Sequence, residues 1–177
     1  MAFSRSFKAS DGRAVEVRTA TAEDAESVRS IWNSVIGEKI YSVGLNVIGM
    51  DEEKAFIGGL AGRETILVAV LEGRTVGYTL LAIPEKECMS TSHVAELGTW
   101  VLKDFRGMDI GHFLITSAFD FAKLNGFEKA MVKVRSSNQP GLGFYRSHGF
   151  VEVGRLKKQI KIDGKYDDHV IFEKLFG

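Results

Sequence analysis

The stretch that decides the fold runs from Glu96 to Tyr145: ELGTWVLKDFRGMDIGHFLITSAFDFAKLNGFEKAMVKVRSSNQPGLGFY. It divides into a strand, a glycine-bearing turn headed by Arg106, a long helix, a second strand, and then Asn138 with Tyr145 seven residues on. In His93 to Leu102, Val94, Glu96, Gly98 and Trp100 alternate with Ala95, Leu97, Thr99 and Val101, the period of two expected of a strand. The turn Arg106-Gly107-Met108-Asp109-Ile110-Gly111 opens a helix from about His112 to Leu124, with Leu114, Ala118, Phe121 and Ala122 as its buried stripe. Asn125-Gly126 stops that helix. Lys129 to Arg135 reads as the next strand, and Pro140 suits the first turn of a helix that ends at Gly149. A helix start presents N–H groups without partners inside the helix, which is what the phosphates of a nucleotide-type carrier require. With Tyr145 as a proton source nearby, the arrangement points to group transfer from a phosphate-containing carrier, not to hydride or phosphoryl chemistry. His112 stands where a P-loop has its lysine, and the three-glycine dinucleotide spacing is absent. Taken alone, two glycines in a turn do no more than turn the chain.

Outside this stretch the signals are of the same kind. Val15 and Val17 alternate with Glu16 and Arg18, a half-buried first strand. Thr21 with Asp24 three residues on is a capping-box pattern, and Val28, Ile31, Trp32 and Val35 follow at helical spacing up to Gly37. Gly37 to Met50 reads as a loop or broken helix, and Asp51 to Ala61 as a short helix capped by Asp51. Thr65 to Leu71 and Thr75 to Ile83 form a hairpin around Glu72-Gly73-Arg74. Pro84 to Ser92 is a polar loop. Phe150 to Ile162 and Tyr166 to Leu175 are strands joined at Asp163-Gly164, a hairpin turn signal. The expected order is β-α-α-β-β-β-α-β-α-β-β. This is a single-domain α/β protein over residues 1–177, with a mixed, mostly antiparallel sheet flanked by helices and a core of about 15–175.

Composition narrows the function classes. A chain of 177 residues with 45% hydrophobic and 26% charged residues can bury a real core as one domain. Lys+Arg and Asp+Glu both number 23, so no global charge draws it to nucleic acid or an acidic membrane. The longest apolar run, Ile66 to Leu71, is far below a membrane span, and Met1 to Arg13 is too polar for a secretory leader. Cys88 is the single cysteine, which excludes an internal disulfide and fits a reducing, cytoplasmic setting. The four histidines, His93, His112, His148 and His169, lack metal-ligand spacing, and no metal is expected. Lys157, Lys158, Lys161 and Lys165 read first as a solvated strand face and second as a contact for an acidic phosphate end of the carrier or an acidic acceptor.

These motifs, in this order, resemble the GNAT superfamily of acetyl-CoA-dependent N-acetyltransferases over nearly the whole chain, Val15 to Leu175. The superfamily's Arg/Gln-x-x-Gly-x-Gly/Ala turn is met by Arg106 and Gly111, with Asp109 in place of the middle glycine. Its asparagine and the tyrosine seven residues later are met by Asn138 and Tyr145. Ile31-Trp32-Asn33 and Gly149-Phe150-Val151-Glu152-Val153-Gly154-Arg155-Leu156 are similar to the phosphinothricin and amino-acid N-acetyltransferase branch.

The resemblance implies a site. The backbone of Thr99, Trp100 and Val101 would pair with the pantetheine arm of acetyl-CoA as an added strand. Gly107, Met108, Asp109, Ile110, Gly111 and His112, with Arg106 ahead of them, would hold the pyrophosphate, and Asn138 the pantetheine region. Tyr145 would be the acid for the leaving thiolate, and Glu96 the base for the amine. Bland readings stand beside these: Trp100 as core, Asn138 as a helix cap, Tyr145 as packing, Glu96 as a carboxylate paired with a neighbouring strand. Asp109 would face outward or cap the helix. Lys133 stands where some relatives carry a glutamate. The implied reaction is direct acetyl transfer to a primary amine of a small molecule, an amino acid or similar compound. The alternatives are a protein N-terminus or lysine as acceptor, or a non-catalytic acyl-CoA-binding sensor. Expected partners are acetyl-CoA and an amine acceptor, with neither nucleic acid nor membrane, and with a homodimer as the assembly. The acceptor pocket is expected from the Gly37–Met50 loop, the Pro84–Ser92 loop and the last hairpin.

Overall fold

The structure, a computed structural model, describes residues 3–42, 46, 48–60 and 62–177. Strands β1 (Ser4–Lys8), β2 (Ala14–Thr19), β3 (Thr65–Leu71), β4 (Arg74–Ala82), β5 (Val94–Val101), β6 (Lys129–Arg135), β7 (Val151–Ile162) and β8 (Lys165–Leu175) form one sheet in the order β1-β2-β3-β4-β5-β6-β8-β7. Helices α1 (Ala25–Gly37) and α2 (Met50–Gly59) precede β3, α3 (Ile110–Leu124) joins β5 to β6, and α4 (Gln139–Ser147) joins β6 to β7. The sheet is mixed and mostly antiparallel; β5 and β6 are its parallel neighbours.

Each face of the sheet has its own core. On one face Leu67, Ala69, Leu97, Val132 and Phe172 pack with Leu114, Ala118 and Phe121 of α3 and with Leu142 and Tyr145 of α4. On the other, Ile66, Val68 and Tyr78 pack with Val28, Ile31 and Val35 of α1 and Ile57 of α2. The alternation read in Val15 and Val17 holds, since both are buried while Glu16 is exposed.

Several local expectations shift. Ser4–Lys8 adds a strand before the first one expected, held by ladder pairing to β2 and by Phe7 stacked on Phe113 with ring centroids 4.6 Å apart. Its sequence, Ser-Arg-Ser-Phe-Lys, carries no alternation to betray it. The Thr21 capping box forms: the Thr21 N–H donates to Asp24 Oδ2 at 2.8 Å, and a short 3-10 turn leads into α1. Helix α2 is capped by Gly49, not by Asp51, which lies in the first turn with Glu52 and Glu53. Ala61 lies outside the described residues, as do positions 43–45 and 47 of the loop expected to build the acceptor pocket. Helix α3 starts at Ile110, two residues before the expected His112. The Asp163-Gly164 turn has positive φ at both positions, 50° and 79°, the hairpin geometry its sequence signals. Among the described residues no helix is long and apolar enough to cross a membrane.

Candidate active site

Strands β5 and β6 stay together for three residue pairs, Val94 with Lys129, Ala95 with Ala130 and Glu96 with Met131. Beyond Glu96 they part: β5 goes on pairing with β4 as far as Val101, and β6 with β8 as far as Arg135. The rest of β5 therefore has an open edge. Leu102 N–H donates to the Val76 carbonyl at 3.0 Å, which makes the adjacent Val101–Gly77 pair a non-hydrogen-bonded one. Antiparallel pairs alternate in this respect. The backbone N–H and C=O groups of Val101 and Thr99 thus point away from β4, into the cleft. Gly98 stands beside them because no side chain fits: a Cβ there would lie 2.2 Å from Cη2 of Trp100, whose indole folds back over it. Trp100 is partly buried: its indole packs against the core under α1 and also lines the cavity. It stacks on Tyr78 at 4.9 Å between centroids and meets Trp32 edge-on at 5.5 Å.

Past β5 the chain turns through Gly107 and Asp109, both left-handed, at φ 78° and 63°. Phe113 N–H donates to the Asp109 carbonyl at 3.0 Å, the first bond of α3. The N–H groups of Ile110, Gly111 and His112 then precede any intrahelical partner. Phe144 of α4 lies against Gly111, where a Cβ would come within 3.2 Å of the ring. Asp109 is exposed, lines the cavity and makes no side-chain cap bond, so the capping reading does not hold. Arg106 lines the cleft, but its guanidinium is spent elsewhere. It donates to both oxygens of Glu38 at 2.9 and 2.6 Å, lies 4.2 Å over the Tyr41 ring, and through Nε donates to the Val101 carbonyl at 3.0 Å. Arg106 holds the Glu38 carboxyl below its ordinary range, and the pair clamps the end of α1 to the turn.

Across the cleft, Asn138 is buried and its Oδ1 accepts from the Gly141 N–H at 2.9 Å, so it does cap α4 while lining the cavity. Tyr145 is also buried, edge-on to Phe144 and Phe150 at 5.2 and 5.4 Å. Burial pushes its phenol up to about 12, against a smaller opposing effect from Thr99. At the mouth of the turn His148 Nδ1 lies 2.7 Å from the Phe144 carbonyl and so carries the proton; its Nε2 then accepts from Nδ1 of His112 at 3.0 Å. Sequence reading gave no sign of this pair, whose members lie 36 residues apart.

The other end of the cavity holds a polar cluster on β5, β6 and β8. Lys133 Nζ donates to Glu96 Oε2 at 3.0 Å, the cross-strand pairing that a structural role for Glu96 would have; both side chains are partly exposed. Arg135 is buried. It donates to Asp167 at 2.9 Å and to the Lys39 carbonyl. Burial works to raise the Asp167 carboxyl, but the Ser136 and Ser137 hydroxyls, each donating at 2.5 Å, and Arg135 hold it far below the usual carboxylate range. His169, directly opposite Arg135 in the ladder, is 9% exposed, and its Nε2 has no partner among the described residues. Burial first, and Lys133 second, push its imidazole down. An unpaired buried polar atom costs about 1–3 kcal/mol. Lys133, Arg135, Asp167 and His169 were not among the expected site residues.

These walls enclose a cavity of about 930 Å³ running from the Arg106–His112 turn to the Glu96–Lys133 pair. Its walls carry strand amides turned away from β4, helix amides without intrahelical partners and glycines where atoms crowd, which suits a chain ending in phosphates. The family model described as "Acetyltransferase (GNAT) family" matches residues 38–150. The chain belongs to the acetyltransferase (GNAT) family. It is an acyltransferase, with the GNAT fold. Solved structures agree on the fold. A phosphinothricin acetyltransferase from Sinorhizobium meliloti, in complex with AcCoA, is similar at 18% identity and a TM-score of 0.86, over 97% of this chain and 90% of that one. A ribosomal-protein-alanine N-acetyltransferase from Brucella melitensis is similar at 23% identity and 0.84, over 90% and 99%. An N-acetyltransferase from Staphylococcus aureus is similar at 20% identity and 0.86, over 92% and 99%. No curated protein matches the chain in sequence.

Proposed function

We propose that the protein transfers the acetyl group of acetyl-CoA to the primary amine of a small molecule, an amino acid or a compound like one, by direct attack in the cleft between β5 and β6. The observation that carries this reading is the open backbone edge at Thr99 and Val101, with the buried Tyr145 across from it. The pantetheine arm would lie along that edge as an added strand. The amides of Ile110, Gly111 and His112 would receive the pyrophosphate, and Asn138 would contact the arm. Acetyl-CoA supplies the activated acyl group. The Val101 N–H would donate to the acyl oxygen as negative charge gathers there, a fixed donor that needs no reorganisation. Tyr145 would hydrogen-bond the sulfur as it leaves. Glu96, partly exposed at the far end, would draw in the ammonium of the acceptor. Lys133 beside it offers a cation to the acceptor's carboxylate, so that the pair complements a zwitterion.

The test is thiol release from acetyl-CoA across a panel of amino acids and small amines, with calorimetry for acetyl-CoA, ATP and NAD. Amine-dependent release and selective acetyl-CoA binding are expected. Tight acetyl-CoA binding without release for any small amine, free or peptide-bound, would instead mark a sensor. Equal affinity for ATP would remove the role given to the strand edge.

A further inference from the structure

We propose that His169 is the base that takes the proton from the acceptor amine, with the Lys133-paired Glu96 orienting the ammonium beside it. This rests on the acetyl-transfer reading above. His169 lines the cavity from β8 and is nine-tenths buried, and its Nε2 is sealed from the surface with no hydrogen-bond partner among the described residues. A buried ring kept without a partner is a group whose partner arrives with a ligand. The charged groups around it are Lys133 and Arg135 on β6, Glu96 on β5 and Asp167 two positions away on β8; β7 presents Leu156 opposite it. Arg135 and Asp167 are occupied with one another and with the two serines, and Glu96 is occupied with Lys133. The imidazole remains as the uncommitted acceptor. Burial and the Lys133 charge keep it neutral at physiological pH, the form that can accept a proton.

The step balances without a further reactant. An N–H bond of the acceptor ammonium breaks and its proton goes to a ring nitrogen of His169. The freed lone pair forms the C–N bond to the acetyl carbon, and the C–S bond breaks with its electrons on sulfur. As Tyr145 gives its phenol proton to the thiolate, the second amine proton passes from the nitrogen to the Tyr145 oxygen, giving amide, thiol, a neutral Tyr145 and an imidazolium that loses its proton to solvent.

The experiment uses the intact protein with an acceptor found in the panel. His169→Ala is expected to lower kcat/KM by about 10²-fold, the scale of lost proton transfer, with acetyl-CoA affinity within about two-fold of wild type. Added imidazole, which fits the vacated space, should restore at least about ten-fold, and more as pH rises through its own titration near about 6.5. If melts show that His169→Ala does not fold, His169→Gln carries the test. Wild-type kcat/KM should fall on the acid side of the ordinary imidazole range, and that limb should vanish in His169→Gln. Wild-type rates in His169→Ala overturn the proposal. So does a loss that imidazole leaves untouched in a folded, acetyl-CoA-binding variant, or an acid limb unchanged in His169→Gln. If the wild-type protein binds acetyl-CoA and turns over no amine, the acetyl-transfer reading falls first and this one with it. Turnover by wild type with rates unchanged in His169→Ala removes His169 alone.

Discussion

At Tyr145 burial raises the phenol to about 12, while an ordinary thiol sits near about 8.5. Handing a proton over completely would run uphill by about 3.5 pH units, or ~5 kcal/mol, even to the fully formed thiolate. Tyr145 is therefore suited to hold a hydrogen bond to sulfur and to release its proton only as the replacement from the amine arrives. Tyr145→Phe should lower kcat by about 10²-fold and leave the acetyl-CoA Kd near wild type; calorimetry and steady-state rates check both, and wild-type turnover would remove the role. At Asp109 the left-handed φ of 63° suits the glycine that the family carries there, and the exposed carboxylate sits at the positive end of α3, beside the amides proposed for the pyrophosphate. Asp109→Gly relieves the backbone and removes a repulsion. Acetyl-CoA should bind a few-fold more tightly at low salt, with the gain shrinking as salt screens the charge. Calorimetry at two ionic strengths reads this, and unchanged binding in dilute buffer would deny any effect of the charge.

Helix α2 carries an element that works against its own stability. Glu53 is 3% exposed, and burial, followed by the charge of Glu52, raises its carboxyl, with Arg29 opposing. The folded protein thus binds this proton more tightly than the unfolded chain. The benefit is fully present below the unfolded value of about 4.3 and is lost as pH rises through the raised one. Glu53→Gln should melt higher than wild type at pH 7.5 and converge with it near pH 4, a comparison that thermal melts make directly. Legibility differed between elements for reasons of this kind. Strands with buried alternation, such as Val15 and Val17, could be read, and so could the α3 stripe and the Asp163-Gly164 turn, because local pattern and tertiary burial agree there. Ser4–Lys8 could not, since its pairing to β2 comes from the neighbour and not from its own residues. The backbone part of the cleft was legible through Arg106, Gly111, Asn138 and Tyr145. The role of the Arg106 side chain was not, because its partner Glu38 lies 68 positions away in sequence. Nor was His169, whose surroundings are assembled from four strands.

For the molecule as a whole, acid is the direction of weakness. Burial tends to raise Asp24, but Arg18, donating at 2.7 and 2.9 Å, and Thr21 outweigh it and leave the carboxyl lowered; Asp167 is lowered further. Stability from these groups is complete above the unfolded value of about 3.9 and is lost as pH falls through their folded values below it. Asp24→Asn should be less stable than wild type in urea at pH 7, with the two converging as pH approaches about 2; a difference that persisted undiminished in acid would assign the loss to packing. Strand β5 ties both halves of the molecule together, since Leu97 belongs to the core under α3 and Trp100 to the one under α1. Clamped from both faces and bonded along one edge, it gives its amides two fates in turn. Those of Trp100 and Leu102 are locked to β4 and should exchange with deuterium only when the sheet opens. Those of Thr99 and Val101 have no strand partner and should exchange sooner. A donor molecule lying along the cleft would slow the fast pair and leave the slow pair as they are, so four neighbouring amides carry their own record of whether the site is filled.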